Sequence, residues 1–476
     1  MKPFPRRSMV SRRVCLAAIF GIVIVGFGLI AYGYWPGIMI DDARWQYQQA
    51  VDNAYEDWHP PLMAWVWRRL MFIEPGPAPM LLLQLVFYWL AIGLIASWAY
   101  RRGRPVLAVV VACAGWLPIP LALTGTITKD CLMAGLLGCA SGLLLWRGIA
   151  SDRVSRLALS GGVLVALLLA AALRINAFVA CVPLALAALP RFLTKTKLRL
   201  FLSALCAAVP FLLVGPVVNA LVQAEKTDAE LSLIIFDLGG ITEHSGVSVF
   251  PDIGVTNPVA VNRRCYDAHQ WDGYSSWAKT PCPLSFDAFQ ARIDNDEFDA
   301  RLVWLKAIRD HPLAYAEHRL THFNVSTWFL VGENPKFPAW SQSVPNPWGY
   351  RVRQNAVLSA ITAIADFTAL TPIGWPAFWI TVGLAAFVTA VWAELSAPVI
   401  AIAASATLYG SGYLIFGVAT GMRYHIWTIT GAALAMVLVS GELRESGAVI
   451  LRKSLRVAAG VVALPTLFAI AARIAG

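Results

Sequence analysis

Two adjacent carboxylates, Asp41 and Asp42, follow the first long apolar segment of the chain, and the stretch "EDWHPPL" then adds Asp57 and His59. A carboxylate or an imidazole placed beside a hydroxyl group can act as a general base. One of the adjacent aspartates suffices to cap a helix over residues 41–53, because it accepts bonds from free backbone N–H groups. The other carboxylate is left over for chemistry. Capping alone therefore does not account for both carboxylates, and the sequence leaves open which of Asp41 and Asp42 has a further role.

Three cationic side chains, Lys129, Arg174 and Arg423, interrupt or border apolar segments that are far apart in the sequence. A single such charge often only anchors a helix at the membrane boundary. Ammonium and guanidinium groups also bind phosphate oxygens, and guanidinium does so with two parallel bonds. Three of them at one membrane face would suit a lipid phosphate whose polar head is transferred. The residues beside them that could share this site are Asp130, Asn176 and Tyr424.

The composition indicates a polytopic membrane protein. Of its 476 residues, 58% are hydrophobic and 14% are charged, and the mean hydropathy is +0.62. A soluble domain of this length needs more polar surface, and the 19 Trp residues favour membrane interfaces. The net charge of +10 is accounted for by basic cytoplasmic loops, so it does not indicate nucleic-acid binding.

Eleven apolar segments are predicted to span the membrane. They are residues 14–35, 78–98, 105–127, 129–146, 157–173, 175–190, 200–223, 371–393, 397–419, 424–440 and 457–473. Basic residues recur at the N-terminus and after the second, fourth, sixth and tenth spans, which predicts a cytoplasmic N-terminus. The chain is thereby divided into a membrane module over 1–223, an outer domain over 224–370 and C-terminal helices over 371–476.

The first outer loop, residues 36–77, is predicted to form two surface helices joined by a rigid elbow at Pro60 and Pro61. The alternative is a lid without chemistry. Residues 224–370 are too many for a loop without its own structure, so we expect a small, mostly helical domain. Its two cysteines, Cys265 and Cys282, are predicted to form a disulfide in an oxidising compartment.

Three residues of the outer domain are weaker candidates. Asp237 precedes two glycines, which predicts a turn more strongly than a site. His318 and His322 have the i, i+4 spacing of metal ligands, but no acidic partner completes a motif. The sequence therefore indicates no metal site here.

The stretch "WPGIMIDDARWQ…DWHPPL" is similar to the first outer loop of bacterial members of the GT-C superfamily of membrane glycosyltransferases, which use polyprenyl-phosphate-linked sugars. The motifs "TKD", "LRINAF" and "MRYHIW" resemble further signatures of that family. The resemblance covers roughly residues 14–220 and 371–440, and residues 224–370 resemble no family. It implies an all-α polytopic fold of about 11 transmembrane helices in the bacterial cytoplasmic membrane, with the active site facing the periplasm.

The resemblance also implies roles. One first-loop aspartate would activate the acceptor or contact the sugar, and the spacing from "PGIM" favours Asp42 over Asp41. Attack in one step would invert the anomeric carbon, and a phosphate leaving group needs no second carboxylate to protonate it. Some family members need a divalent metal and others do not; one acidic motif indicates none here. The predicted substrate-binding residues are Asp57, His59, Lys129, Asp130, Arg174, Asn176, Arg423 and Tyr424.

The partners implied are a polyprenyl-phosphate-sugar donor, the lipid bilayer, and a lipid, glycan or protein acceptor. Two other classes remain open. A transporter or flippase of lipid-linked sugars would share the basic pocket, although the chain lacks the repeated halves that are common in transporters. A glycan polymerase or ligase would have a large outer loop but no acidic first loop.

Overall fold

The computed structural model describes residues 9–332, 340–445 and 448–475. Within these residues the protein has 21 α-helices, four short 3-10 helices and one two-stranded sheet. The predicted all-α class is therefore confirmed. The α-helices, numbered α1 to α21 in chain order, are Met9–Gly33, Asp41–Asp52, Leu62–Leu70, Ala78–Arg101, Pro105–Ala114, Pro118–Leu123, Lys129–Ile149, Arg153–Leu173, Phe178–Ala188, Arg191–Thr194, Lys197–Val222, Leu231–Ser245, Pro258–Cys265, Phe286–Asp294, Ala300–Asp310, Pro312–Thr327, Ala356–Ala369, Pro376–Trp392, Ala397–Phe416, Ile426–Leu443 and Ala448–Ala475.

Eight helices in the described part of the chain are long and apolar enough to cross a membrane, which is the mark of a multi-pass membrane protein. These spans are Arg13–Gly33, Ala78–Arg101, Lys129–Ile149, Arg153–Leu173, Lys197–Val222, Ala397–Phe416, Met422–Leu443 and Arg456–Ala475. Eight of the eleven predicted spans fall on them. The other three fall on the shorter apolar helices Pro105–Ala114, Ile175–Ala188 and Pro376–Trp392, so a count of eleven stays a prediction.

The prediction of one continuous span over residues 105–127 is wrong. Helix α5 ends at Ala114, and a separate short helix, α6, begins at Pro118. Leu117 leaves the helical region with ψ of 126°, because the ring of a following proline disfavours helical backbone in the residue before it. The chain then forms α6 and a short strand, and α6 packs against α17.

Strands β1 (Ile38–Met39) and β2 (Thr126–Ile127) form a short parallel ladder. Helix α2 begins immediately after β1, and helix α7 begins immediately after β2. Because parallel strands run in the same direction, their C-terminal ends lie side by side. The ladder therefore brings the first turns of α2 and α7 together, and with them the acidic motif of the first loop and the Lys129–Asp130 pair.

The two predicted helices of the first loop are present as α2 and α3. Arg68 of α3 joins them, because its Nη1 donates to the carbonyl oxygens of Ala50, at 2.9 Å, and Val51, at 3.1 Å, in α2. Trp67 is buried, and its indole N–H donates to the carbonyl of Gly76 at 2.9 Å. These contacts join α2 to α3, and α3 to the loop that precedes α4.

Residues 224–370 contain a second hydrophobic core, formed mainly by α12 with α13, α14 and α15. The helical spacing of apolar residues from Phe298 to Ile308, followed by Pro312, predicts two consecutive helices. They are present as α15 and α16. Helix α17, however, buries Leu358 and Ala365 in the core of the membrane helices. Most of the segment is helical as predicted, and its boundary at residue 370 stays a prediction.

Cys265, at the end of α13, and Cys282 form the predicted disulfide, with their Cα atoms 5.9 Å apart. Their sequence separation is 17 residues. The disulfide therefore closes a loop that would gain conformational freedom in the unfolded chain if the bond were absent.

Replacing both cysteines by serine is expected to lower the free energy of unfolding of this region by about 3 kcal/mol, because the open loop stabilises the unfolded state. Denaturant unfolding of the purified full-length protein, followed by tryptophan fluorescence, measures the change. The matched control is C113S/C206S, which removes two exposed free thiols on membrane helices. Equal unfolding curves for the C265S/C282S variant and the wild type would contradict the expectation.

Candidate functional site

Charged side chains from four separate parts of the chain, and a histidine from a fifth, meet where several membrane helices begin or end. The contributing parts are the first turn of α2, the elbow before α3, the first turn of α7, the break after α8 and the 3-10 turn Met422–His425 before α20. We call this group the charged cluster; its members are Asp42, His59, Lys129, Asp130, Arg174 and Arg423.

Both arginines lie at interruptions of apolar segments. Helix α8 ends at Leu173, and Arg174 is extended, with φ of −150° and ψ of 125°. Arg423 lies in a 3-10 turn that follows a loop after α19. A guanidinium group is costly to place in hydrocarbon, so these breaks allow both side chains to turn toward a polar site instead of lipid.

Asp42 and Arg423 join the first loop to the turn before α20. Arg423 Nη2 donates to Asp42 Oδ2 at 2.8 Å. His59 Nε2 lies 3.8 Å from the same carboxylate oxygen. The Asp42 side chain is 24% exposed, so its carboxylate remains accessible while both neighbours hold it in place.

Lys129 contacts the elbow of the first loop. Its Nζ lies 2.6 Å from His59 Nδ1. Lys129 is 6% exposed, although it is the first residue of a membrane helix. A buried ammonium needs polar partners to offset the loss of hydration, and the neutral ring of His59 supplies one as a hydrogen-bond acceptor.

Asp130 links the two arginines from beneath the site. Its Oδ1 lies 2.9 Å from Arg174 Nη1, and its Oδ2 lies 3.8 Å from Arg423 Nε. Asp130 has no exposed surface. Removing one partner of a buried ion pair leaves an uncompensated charge and is strongly destabilising. Asp130 therefore serves as the fixed counter-charge that keeps both guanidinium groups near the site.

The charges of the cluster do not cancel. Two carboxylates face two guanidinium groups and Lys129, which leaves an excess of one positive charge when Lys129 is protonated and His59 is neutral. Arg423 Nε is buried and makes no hydrogen bond within the described part of the chain. An anionic group with several acceptor oxygens, such as a phosphate, would meet both the excess charge and the unused donor.

Aromatic rings and one amide form a wall beside the arginines. The guanidinium carbon of Arg174 lies 4.7 Å from the ring centre of Tyr424, and that of Arg423 lies 5.2 Å from it. Tyr413 stacks on Tyr424 with ring centres 5.7 Å apart, and Asn176 Oδ1 accepts from Arg174 Nε at 3.4 Å. Such cation–π contacts orient the arginines without neutralising their charge.

Tyr413 and its hydrogen-bonded neighbour Tyr409, with hydroxyl oxygens 2.9 Å apart, were not singled out from the sequence. Both are buried in α19, and the Arg174 side chain reaches the hydroxyl of Tyr413 at 3.5 Å. In the sequence, the only indication of this pair is the i, i+4 spacing of the two tyrosines inside an apolar span. Polar hydroxyl groups buried at one face of a membrane helix need partners.

Two predicted site residues, Asp41 and Asp57, belong neither to the charged cluster nor to the wall beside the arginines. Asp41 is exposed and pairs with Arg44 at 3.4 Å on the surface of α2. Asp57 accepts hydrogen bonds from the backbone N–H of Thr227 at 2.8 Å and from Asn219 Nδ2 at 3.3 Å. Asp57 thus ties the first loop to the segment after α11. The predicted catalytic role of Asp41 and substrate contact of Asp57 stay predictions that this geometry does not favour.

The protonation states of the first-loop residues follow from their surroundings. Burial by itself would raise the pKa of the Asp42 carboxyl, but the nearby charges of Arg423, Lys129 and Arg174 outweigh it and hold that pKa well below its usual range. Burial and the charge of Lys129 lower the pKa of His59 to about 3. At neutral pH Asp42 is therefore ionised and His59 is neutral.

The described part of the chain holds no group of three His, Cys, Asp or Glu side chains that could bind a metal ion. His318 and His322, the pair with metal-ligand spacing, are both buried in α16. His322 Nδ1 is 2.8 Å from the carbonyl oxygen of Ala268, and His318 contacts Asp237. Their spacing on α16 is thus used in packing the outer domain.

Comparison with known proteins gives weak similarities. No protein-family model and no curated protein matches the chain. Among solved structures, it is similar to ArnT from Cupriavidus metallidurans bound to undecaprenyl phosphate, with 12% identity and a TM-score of 0.32 over 90% of this chain and 77% of that one. The apo structure of the same protein gives 15% identity and a TM-score of 0.33, over 91% of this chain and 79% of that one. Similarity at this level does not establish a shared function.

Proposed function

We propose that this protein is a membrane glycosyltransferase of the GT-C type. It would transfer one sugar from a polyprenyl-phosphate donor to a lipid, glycan or protein acceptor, with inversion at the anomeric carbon. The observation that carries the proposal is the convergence of one accessible carboxylate, Asp42, with three cations from distant helices. A carboxylate to take a proton and cations to receive a phosphate are the two requirements of this reaction.

The cations would receive the leaving group. When the bond between the anomeric carbon and the phosphate oxygen breaks, its electron pair goes to the polyprenyl phosphate. Arg174 and Arg423 would donate to the phosphate oxygens, and Lys129 would add a third positive charge. Asp130 would keep the two guanidinium groups in place, and no acid would be required because phosphate is already a stable leaving group.

Asp42 would take the proton of the attacking hydroxyl group. In the arrangement described, Arg423 lowers the pKa of Asp42 and makes it a weak base. A bound phosphate would compete for the Arg423 guanidinium and draw it away from Asp42. The pKa of Asp42 would then rise toward its ordinary value, so the base would strengthen only when the donor is bound.

The remaining predicted residues would support these groups. His59 would hold Lys129 and border the sugar, while Asn176 and Tyr424 would orient the arginines toward the phosphate. The alternation of basic loops supports a cytoplasmic N-terminus. We therefore place residues 36–77 and 224–370, and the reaction itself, on the outer face of a bacterial cytoplasmic membrane.

The test is a transfer assay with the purified protein in lipid vesicles. Synthetic polyprenyl-phosphate pentose and hexose donors are supplied with bacterial envelope lipids, glycans or peptides as acceptors, and mass spectrometry follows polyprenyl phosphate and glycosylated product. We expect stoichiometric formation of both, with NMR of the product showing the inverted anomer. Donor that crosses the bilayer unconsumed in vesicles without acceptor would identify a transporter instead. Use of oligosaccharide donors alone would identify a polymerase or ligase.

A further inference from the structure

A buried ion pair in the outer domain remains unexplained by the proposed chemistry. Asp237 of α12 and Arg319 of α16 are in contact, with Arg319 Nη2 2.5 Å from Asp237 Oδ1. Asp237 has no exposed surface, and Arg319 is 3% exposed. Burying two charges costs several kcal/mol per ion, and a well-packed apolar pair would hold two helices together as well. Stability alone therefore does not account for the Asp237–Arg319 ion pair.

Asp237 is fixed on all sides by the outer domain. Its Oδ2 accepts from the indole N–H of Trp304 at 2.8 Å, and its Oδ1 lies 3.2 Å from His318 Nε2. His318 in turn contacts the hydroxyl of Tyr266, 3.0 Å from its Nδ1. Asp237 is thus a rigid acceptor that holds the guanidinium of Arg319 in a single orientation.

From that position Arg319 reaches across to the C-terminal helices. Its Nη1 donates to the carbonyl oxygen of Gly417 at 2.7 Å. Gly417 is the first residue after α19 and begins the sequence "GVATG", residues 417–421. We call these five residues the 417–421 loop. The next residues form the 3-10 turn Met422–His425, which carries Arg423.

Further contacts also hold the 417–421 loop against the outer domain. The backbone N–H of Trp271 donates to the carbonyl of Val418 at 2.9 Å. Gln270 and Ala419 form an isolated antiparallel bridge. The ring of His322 packs so closely that a Cβ atom at Gly417 would lie 2.7 Å from its Nε2. The outer domain therefore holds the loop by its backbone and leaves no space for a side chain at Gly417.

From these contacts we propose that Asp237 and Arg319 are positioning residues, which place Arg423 against Asp42 and the donor phosphate through the 417–421 loop. The inference rests on the proposed function, because it gives the outer domain a part in that reaction. Six residues of loop and turn lead from Gly417 to Arg423, so a shift of the 417–421 loop would move the guanidinium of Arg423. A displacement of about 1 Å of a catalytic group can lower the rate about a hundredfold.

A double-mutant cycle tests this coupling. R319A is made in the wild type and in an R423K background, and kcat/KM is measured for each purified protein in vesicles. We expect R319A to lower kcat/KM about 10- to 100-fold in the wild type and less than about threefold in R423K, since its effect passes through Arg423. Equal losses in both backgrounds, or none in the wild type, would overturn the proposal.

A binding measurement keeps the test independent of catalysis. The same four proteins are titrated with a polyprenyl phosphate, the product of the proposed reaction, and thermal unfolding verifies that each is folded. We expect R319A to weaken binding about tenfold in the wild type but not in R423K. G417A, which crowds the loop without removing a charge, should weaken binding as R319A does. Wild-type affinity in folded R319A and G417A would reject the positioning role.

The matched control is R301A, which removes an exposed arginine of the same domain that pairs with Glu230. It should leave kcat/KM and phosphate binding unchanged. The two proposals fail in different ways. Absence of any sugar transfer by the wild-type protein would defeat the proposed function, whereas unchanged kinetics and binding in R319A would defeat the positioning role alone.

Discussion

The D42N variant is expected to lose sugar transfer by about 100- to 10,000-fold, the usual contribution of a general base. Asparagine has the shape of aspartate and can still accept from Arg423, but it cannot take the proton of the attacking hydroxyl group. The initial rate of product formation at saturating donor measures the loss. Affinity for a polyprenyl phosphate should be retained or increase, because a neutral amide competes for Arg423 less strongly than a carboxylate does.

Variants of two other aspartates of α2 serve as comparisons for D42N. D41N separates the two candidates of the first loop, and its transfer rate should stay close to wild type because Asp41 faces Arg44 on the surface. D52N, at the far end of α2, is the matched control, since Asp52 is exposed and accepts from Gln48 Nε2 at 2.6 Å. A D41N variant that loses activity while D42N keeps it would transfer the catalytic role to Asp41.

The R423A variant is expected to lower kcat about 100- to 1,000-fold, the cost of removing one preorganised donor to a developing negative charge. It removes the group that joins Asp42 to Asp130 across the site. Polyprenyl phosphate binding should weaken in parallel, since the phosphate loses a charged donor. Initial rates and a titration with polyprenyl phosphate measure the two effects on the same preparation.

Two further variants provide comparisons for the R423A result. R423K keeps the positive charge but not the paired donors of guanidinium, so it should recover part of the binding and little of the rate. R44A, on the exposed side of α2, is the matched control and should behave as wild type. If R423A binds and transfers normally while thermal unfolding shows a folded protein, the cluster does not contain the phosphate site.

The sequence predicted the helices well because their signals are local. Apolar length identified the eight long spans, and amphipathic spacing identified α2 and the pair α15 and α16. The charges of the cluster were also visible, since Arg174 and Arg423 interrupt apolar segments where a charge is costly. Pro118 and Pro120 also indicate a break within residues 105–127. The prediction of one span rested on the total apolar length of that segment.

The assembly of the site was beyond a reading of the sequence. Two residue pairs in β1 and β2 bring together segments that are far apart in the chain, and strands of two residues have no periodicity to detect. In the sequence, only the family-like spacing from "PGIM" favoured Asp42 over Asp41. In the structure, the contact with Arg423 distinguishes the two residues. Asp237 was expected in a turn, but it is a buried residue within α12, where the packing of α16 decides its role.

The position of Asp130 in the sequence determines when its ion pairs can form during synthesis of the chain. It lies near the end of the first third of the chain, whereas its two partners emerge at residues 174 and 423. A ribosome that has completed the early spans has therefore produced a carboxylate whose second partner does not yet exist. The charged cluster is complete only when the turn before α20, which carries Arg423, has been synthesised, so shorter fragments contain Asp130 without the complete cluster.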